Sequence, residues 1–518
     1  MKQTTLEETK QLNASGNFRR VPVYREIFSD IRTPVEALKI LKGISTHCFL
    51  LESMEDRERW GRYTFLGYDP TMELTCMDGK MTVKVKLDQE AQNTEKGMQT
   101  ENGCQTRTWE TNRPQTEIRR ILEDNRSPNV EGLPAFTGGL VGYFAYEYLK
   151  YSEPCLKFMP KTEEDFKDMD LMLFDKIIAF EHFRQKIFLI VHIRTENLEQ
   201  EYERAVRTLD EMEMLLEHGT PANLEPGRMT SEFRQAFSKE EYCRKVEQVK
   251  EYIREGDIFQ LVLANSMEAE FEGSLLNTYR VLRTTNPSPY MLYLCGDGLE
   301  IAGASPETLV RVTDKEVRTF PLAGTRPRGK TPQEDLALER ELLRDEKELA
   351  EHNMLVDLGR NDLGKISRFG TVAVDKYLSV EKFSHVMHIG SEVQGELKPE
   401  FTAVDAVDAV LPAGTLSGAP KIRACEIIHE LEERNRGIYG GAIGYLDFTG
   451  NMDTCISIRL AYKKKGKVYV CSGAGIVADS IPEKEYEECR NKAQAVIQAL
   501  KCGVDSERKD SRKKGKGR

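Results

Sequence analysis

The sequence predicts a mixed α/β chain built on sheets, and three observations carry that prediction. Short strand-like and helix-like patterns follow one another without a regular order from Pro22 to Leu500. Apolar residues make up 39% and charged residues 31% of the 518 residues, the balance of a soluble globular chain long enough to bury a sizeable core. The heptapeptide Gly138-Gly-Leu-Val-Gly-Tyr-Phe returns 302 residues later as Gly440-Gly-Ala-Ile-Gly-Tyr-Leu, a hint of two related sheets.

The elements follow in order. Residues 1–20 form a polar leader with no apolar stretch behind a basic start, so nothing marks it for secretion. Residues 21–220 form an N-terminal domain with a helix at Pro34 to Ile44 and a strand at Met81 to Leu87. Within it, residues 88–108 hold only Ala91, Met98 and Cys104 as apolar side chains and read as a loop or disordered insertion. Two β-rich runs, Leu171 to Phe180 and Lys186 to Ile193, suggest paired strands, and Glu199 to Leu216 reads as an amphipathic helix. Residues 221–231 cluster Pro, Gly, Asn and Thr and form the best linker. Residues 232–502 form the second domain, opening with a helix at Glu240 to Glu255 and a strand at Ile258 to Glu270. Residues 503–518 form a basic, disordered tail.

Lys plus Arg number 74 and Asp plus Glu 85, a formal net charge of −11 that argues against nucleic-acid binding through bulk charge. No apolar run approaches the roughly 18 residues of a membrane span. The 11 cysteines form no C-x-x-C pair, against a disulfide framework or zinc site and in favour of a reducing, cytoplasmic setting.

Gly324-Thr-Arg-Pro-Arg-Gly-Lys-Thr331 satisfies the phosphate-loop pattern letter for letter. Pro327 deletes one of the N–H groups such a loop needs, and Pro332 another where its helix should begin, so the match is a decoy. More promising is a strand from Lys467 that runs into a turn, Gly473-Ala474-Gly475, able to present N–H groups to an anion. After it Ser480 opens a helix with Pro482 in its first turn and Glu483 completing a capping box. On that helix Glu485, Glu488 and Lys492 share a face that continues into Ala493, Val496 and Leu500, which points the carboxylates inward. A solvated acidic first turn is the competing reading.

A second helix is expected over Asp335 to Leu358, with Leu336, Leu343, Ala350, Met354 and Leu358 buried. Glu351 lies against that stripe, or else is a surface charge, while Glu346 and Glu348 sit further round. Two inward carboxylates on separate helices would suit a hard, octahedral cation such as magnesium. Arg459, on a strand from Thr454 to Leu460, is either a buried carboxylate fork or an edge residue. His385 and His388 read as structural, and nothing forms a histidine metal triad.

Six segments together resemble the chorismate-utilising enzymes: Leu322 to Gly329, Glu351 to Asp362, Phe383 to His388, Pro412 to Lys421, Tyr439 to Tyr445 and Gly473 to Gly475. Within that family the pattern is most similar to anthranilate synthase component I, over Phe49 to Lys501. The resemblance implies helices covering large antiparallel or mixed sheets. It implies Mg2+ on Glu351 and Glu488, with Glu485 beside them, and chorismate held by Gly324, Thr325, Tyr439, Arg459, Gly473, Ala474, Gly475 and Lys492. It gives Glu307, His388 and Thr325 catalytic positions: Glu307 to protonate a departing hydroxyl, His388 to assist elimination of pyruvate.

Gln260 stands where water-adding relatives carry a lysine base, and Ala323 where aminodeoxychorismate synthases typically carry a lysine. Both favour addition of ammonia to give anthranilate. Ser53, Pro289, Tyr290, Met291 and Cys455 resemble a regulatory tryptophan pocket in the N-terminal domain. No Gly-x-Cys-x-Gly turn is present, Gly103-Cys104-Gln105 being the nearest approach, so ammonia from glutamine would need a glutamine amidotransferase subunit, in a heterotetramer. Aminodeoxychorismate synthase component I, a nucleotide hydrolase and a catalytically silent sensor subunit are the competing readings.

Overall fold

The computed structural model describes residues 2–53, 61–87, 100–101, 103–382 and 386–514. Runs of Val, Ile, Leu, Phe and Tyr with alternating burial build two antiparallel sheets, each of 13 strands among the described residues. The first runs, in spatial order, through Arg20–Phe28, Lys186–Arg194, Lys176–Glu181, Tyr63–Tyr68, Cys48–Glu52, Tyr290–Gly296, Leu299–Ser305, Leu460–Lys464, Lys467–Ile476 and Gln260–Glu272. The second runs through Leu322–Pro327, Val386–Glu396, Glu316–Thr319, Thr308–Thr313, Met452–Ile456, Ala442–Asp447, Gly139–Phe144, Met169–Phe174, Met72–Met77, Lys80–Lys86 and Cys104–Glu110.

The two sheets face each other. Phe49, Leu292 and Ile301 of the first meet Val141, Tyr143, Ile443 and Cys455 of the second in one apolar layer. Helices Pro34–Ile44, Leu198–His218, Leu276–Thr285 and Pro482–Lys514 cover the outer face of the first sheet, and Pro114–Glu123, Glu346–Ile366 and Ala403–Val410 that of the second. The expected helix-covered antiparallel architecture is what forms.

Several expectations are corrected in detail. The two glycine-rich strands do not seed separate sheets: Gly139–Phe144 and Ala442–Asp447 are neighbours in one, with Gly142 opposite Gly444. A Cβ at Gly142 would lie 1.9 Å from the Asp170 carbonyl oxygen and one at Gly444 2.0 Å from that of Asp453, so close backbone approach accounts for the repeated glycine. The run Leu171 to Phe180 breaks at Asp175, and its halves Met169–Phe174 and Lys176–Glu181 enter different sheets. Residues 21–220 and 232–502 each supply strands to both sheets, so the linker divides them along the chain and not in space. Part of that linker, Arg228–Met229, itself pairs with Gln260–Glu272. In the expected insertion, Cys104–Glu110 is a strand laddered to Lys80–Lys86, while 88–99 and 102 lie outside the described residues. The tail continues the Pro482 helix to Lys514, in keeping with its run of helix-forming Lys, Arg and Glu.

Candidate active site

Glu307 follows the strand Leu299–Ser305 and is 8% exposed. Thr415, in the short turn Gly414–Leu416, donates its hydroxyl to both carboxylate oxygens at 3.2 and 3.3 Å. Burial pushes the Glu307 carboxyl up to about 8, against the opposing pull of Thr415 and the Lys492 charge. It holds a proton at neutral pH and can deliver one.

His388 sits in the strand Val386–Glu396 with Nδ1 2.8 Å from the Gly324 carbonyl oxygen and 3.1 Å from Thr325 Oγ1. A carbonyl only accepts, so Nδ1 carries the proton and Nε2 is the ring's acceptor nitrogen. Burial, and then the charges of Arg459 and Lys492, hold the imidazole pKa below its ordinary value, so the ring is neutral. Gly324 has φ +66°, and a Cβ there would meet Leu342 Cδ1 at 3.0 Å and Glu348 Oε2 at 3.1 Å.

Two cations act here, Lys492 on both Glu307 and His388 and Arg459 on His388. Lys492 Nζ lies 2.8 Å from Glu488 Oε1 and donates to the Gly473 carbonyl at 3.1 Å. Arg459 donates Nη1 to the Lys492 carbonyl at 2.5 Å. It does not lie on a strand: Met452–Ile456 ends before it, Leu460–Lys464 begins after it, and it turns the corner with φ +57°. Burial lowers its pKa, and Tyr439 and Glu488 act against that.

Gly473-Ala474-Gly475 is also corrected, from a turn to the end of the strand Lys467–Ile476, paired with Ala264, Leu263 and Val262. On its other edge the ladder to Leu460–Lys464 stops at Val470, so past that point this side has no partner strand among the described residues. Side chains would obstruct it: a Cβ on Gly473 would lie 3.0 Å from the Tyr439 hydroxyl, and one on Gly475 2.8 Å from Gln260 Nε2.

The carboxylates stand on two helices. The expected Asp335 to Leu358 helix breaks into Pro332–Leu342 and Glu346–Ile366, because Asp345 caps the second by accepting from Lys347 N and Glu348 N. The break rotates the buried face to His352, Leu355, Val356, Gly359 and Leu363, and leaves Leu336 exposed. Glu351 is half-buried and accepts from Gln260 Nε2 at 3.1 Å. Glu348, placed by sequence away from Glu351, joins it: burial first, then the Glu351 charge, raises its pKa. On the Pro482 helix, burial and the Glu488 charge raise that of Glu485, while Lys347 of the facing helix lowers it. Glu485 is half-buried, but Glu488 is not inward, with 51% of its side chain exposed. Ser480 accepts from Val477 N and makes no capping box.

Two i, i+3 carboxylate pairs thus stand on facing helices, an all-oxygen donor set that fits a hard divalent cation sharing its sphere with water and substrate oxygens. They form no closed cage. Among the described residues the one trio of ligand-type side chains with ligand atoms within 4.8 Å of each other is His47, Glu73 and Asp297, on another part of the molecule. The repeated spacing, 348 with 351 and 485 with 488, is the signal that could have found Glu348.

The phosphate-loop match is a decoy in three dimensions too. The N–H groups of Gly329 and Lys330 donate to Asp335 Oδ1 and Glu334 Oε2, both at 2.8 Å, and Thr331 caps Pro332–Leu342. The chain's own carboxylates fill the cradle.

The regulatory candidates converge elsewhere. Met291 pairs with Glu52, so Ser53 lies beside Tyr290. The Tyr290 hydroxyl donates to Asp453 Oδ1 at 2.7 Å and meets Thr308 Oγ1 at 2.7 Å, and Thr308 pairs with Cys455. Glu52 is clamped by Tyr279, by Arg283 Nε at 2.5 Å and by Thr64 at 3.2 Å. Pro289 is half-buried at the start of the strand Tyr290–Gly296.

The sequence profile of the chorismate binding enzymes matches residues 47–498, and the chain belongs to that family. Among its relatives is anthranilate synthase component 1 of Acetivibrio thermocellus, 45% identical over 504 residues that cover 96% of this chain and 98% of the relative. That of Acinetobacter calcoaceticus is 44% identical over 508 residues, covering 96% and 98%. The crystal structure of anthranilate synthase component I from Streptococcus pneumoniae superposes with a TM-score of 0.71 at 36% identity, covering 91% of this chain and 98% of that one. The menaquinone-specific isochorismate synthase MenF of Escherichia coli, at 20% identity and a TM-score of 0.65, shares the fold over 96% of this chain and 98% of its own.

Proposed function

We propose that this chain is the synthase component of an anthranilate synthase, converting chorismate and ammonia to anthranilate and pyruvate. The observation that carries the reading is a carboxyl held protonated at neutral pH, Glu307, within reach of the Lys492 charge, which together with that of Arg459 also acts on His388. Chorismate is a dianion, and in a chain of net charge −11 it needs a locally positive seat. Arg459, Lys492 and the open edge of Gly473 to Gly475 supply that seat.

Ammonia adds at C2 of the ring as the C4 hydroxyl leaves, and Glu307 protonates that hydroxyl so that water departs. Neutral His388, oriented by Gly324 and Thr325, then assists elimination of pyruvate. Gln260 cannot deprotonate water: its amide is neutral and its nitrogen is turned to Glu351. Glu348, Glu351, Glu485 and Glu488 would hold Mg2+, which when bound offsets charge developing on the ring carboxylate. Tryptophan, bound around Ser53, Tyr290, Met291 and Cys455, favours an inactive state. A glutamine amidotransferase subunit supplies ammonia in the cytoplasm.

Chorismate, Mg2+ and an ammonium salt, added to the purified chain, should produce anthranilate, followed by its fluorescence. Formation of isochorismate, or of no product at all, would refute the reading. Glu351→Gln and Glu488→Gln should each abolish turnover without unfolding; normal turnover with normal magnesium dependence would remove that residue from the metal site.

A further inference from the structure

Cys48 and Cys295 stand directly opposite each other on the neighbouring strands Cys48–Glu52 and Tyr290–Gly296. Opposed residues of an antiparallel pair have Cα atoms about 4.5–5.5 Å apart, inside the roughly 4.4–6.8 Å span of a disulfide. Both side chains project to the same face, into the layer between the first sheet and its helices. Cys295 Sγ lies 3.5 Å from the Cys48 carbonyl oxygen, and Cys48 Sγ lies 3.5 Å from that of Ser45.

An ammonium is aimed at the pair. Lys42, on the helix Pro34–Ile44, places Nζ 3.5 Å from Cys295 Sγ, held there by the Tyr293 hydroxyl at 2.7 Å and by Glu300 Oε1 at 3.2 Å. The neighbouring Cys48 thiol, and then Lys42, lower the Cys295 thiol, while the same contact and burial push Cys48 up.

We propose that Cys48 and Cys295 are an oxidant-labile dithiol that hydrogen peroxide converts to a disulfide joining the two segments of the chain. The Cys295 thiolate attacks one peroxide oxygen: an S–O bond forms, the O–O bond breaks, and hydroxide leaves and takes up a proton. Cys48, losing its proton, then attacks the Cys295 sulfur, the S–S bond forms and the S–O bond breaks, releasing a second water. Two thiols are oxidised and one peroxide is reduced. The strands Cys48–Glu52 and Tyr290–Gly296 are where residues 21–220 meet 232–502 in the first sheet, so the bond closes a loop of 247 residues across that seam.

The inference does not depend on the proposed activity. The full chain is treated with peroxide, denatured in an alkylating reagent, digested without reduction and weighed. A Cys48–Cys295 linked peptide, two hydrogens lighter and lost on reduction, is expected. Cys48→Ser should stop at a sulfenic acid on Cys295 that a 1,3-dione traps. Lys42→Met should slow linkage about tenfold, the effect of raising a thiol by about one unit, and Lys42→Arg should restore it. Complete alkylation of Cys48 and Cys295 in the parent chain, with oxidation confined to exposed Cys155 and Cys502, would overturn the proposal.

Discussion

Glu307 keeps a proton because burial strips it of most of its water and its partner, the Thr415 hydroxyl, is neutral. A carboxyl raised from 4.5 to about 8 binds its proton more tightly in the folded state, so the group's share of stability is intact below pH 4.5 and is lost as pH rises toward 8. Glu307→Gln fixes the neutral shape. It should flatten that loss in urea unfolding between pH 5 and 8 while lowering turnover about 100- to 10,000-fold. With free ammonia held constant, parent activity should fall above pH 8; a rate still climbing there would remove Glu307 as the acid. Ser53 and Met291 make the second residue-scale case. Replacing either should relieve tryptophan inhibition and leave uninhibited turnover nearly unchanged, read from inhibition curves, because both lie beside Tyr290, whereas Thr415 holds the Glu307 carboxyl. Sequence motifs put these residues forward, but protonation state was not legible. It comes from what surrounds a side chain in space, as it does for Glu348.

Elements were legible where local chemistry decides them. The helix Pro34–Ile44 forms at the expected residues because Thr33 accepts from Glu36 N and Pro34 suits the first turn. The break at Leu343 to Asp345 was not legible, since both sides of it favour helix and only the Asp345 cap and its pairing with Arg326 at 2.7 Å fix the second start. Asp345→Ala should cost about 1 kcal/mol by urea unfolding and, by loosening the turn that carries Glu348 and Glu351, raise the magnesium concentration needed for half-maximal activity. An unchanged magnesium requirement would show that the cap is only structural. Lys330→Ala should keep most activity, and calorimetry should detect no ATP binding by the parent, because Glu334 and Asp335 already occupy the loop's N–H groups. The Gly473 to Gly475 segment was misread as a turn because glycine signals both a turn and a strand against which something must pack closely.

At the scale of the whole molecule, antiparallel sheets under helices were expected, but the sharing of both sheets by the two segments was not. Strand partners far apart in sequence leave no mark on local periodicity. The same scale carries the nitrogen-donor prediction. Cys104 begins a strand paired with Lys86, not an exposed nucleophile turn, so the isolated chain should make anthranilate from ammonium salts but not from glutamine. Glutamine-dependent synthesis by this polypeptide alone would show that a nucleophile has been overlooked.

The seam between the segments also sets a timetable for synthesis. Cys48–Glu52 and Gly139–Phe144 each find one neighbour in the N-terminal half and wait for the other, Tyr290–Gly296 and Ala442–Asp447, to leave the ribosome. At roughly 5–20 residues per second, the 302 residues from Gly142 to its partner Gly444 take on the order of 15–60 s to emerge. For that interval the nascent chain displays two unpaired apolar strand edges, which makes it a client for chaperones that shield them and gives slower translation of the second half a direct cost in aggregation.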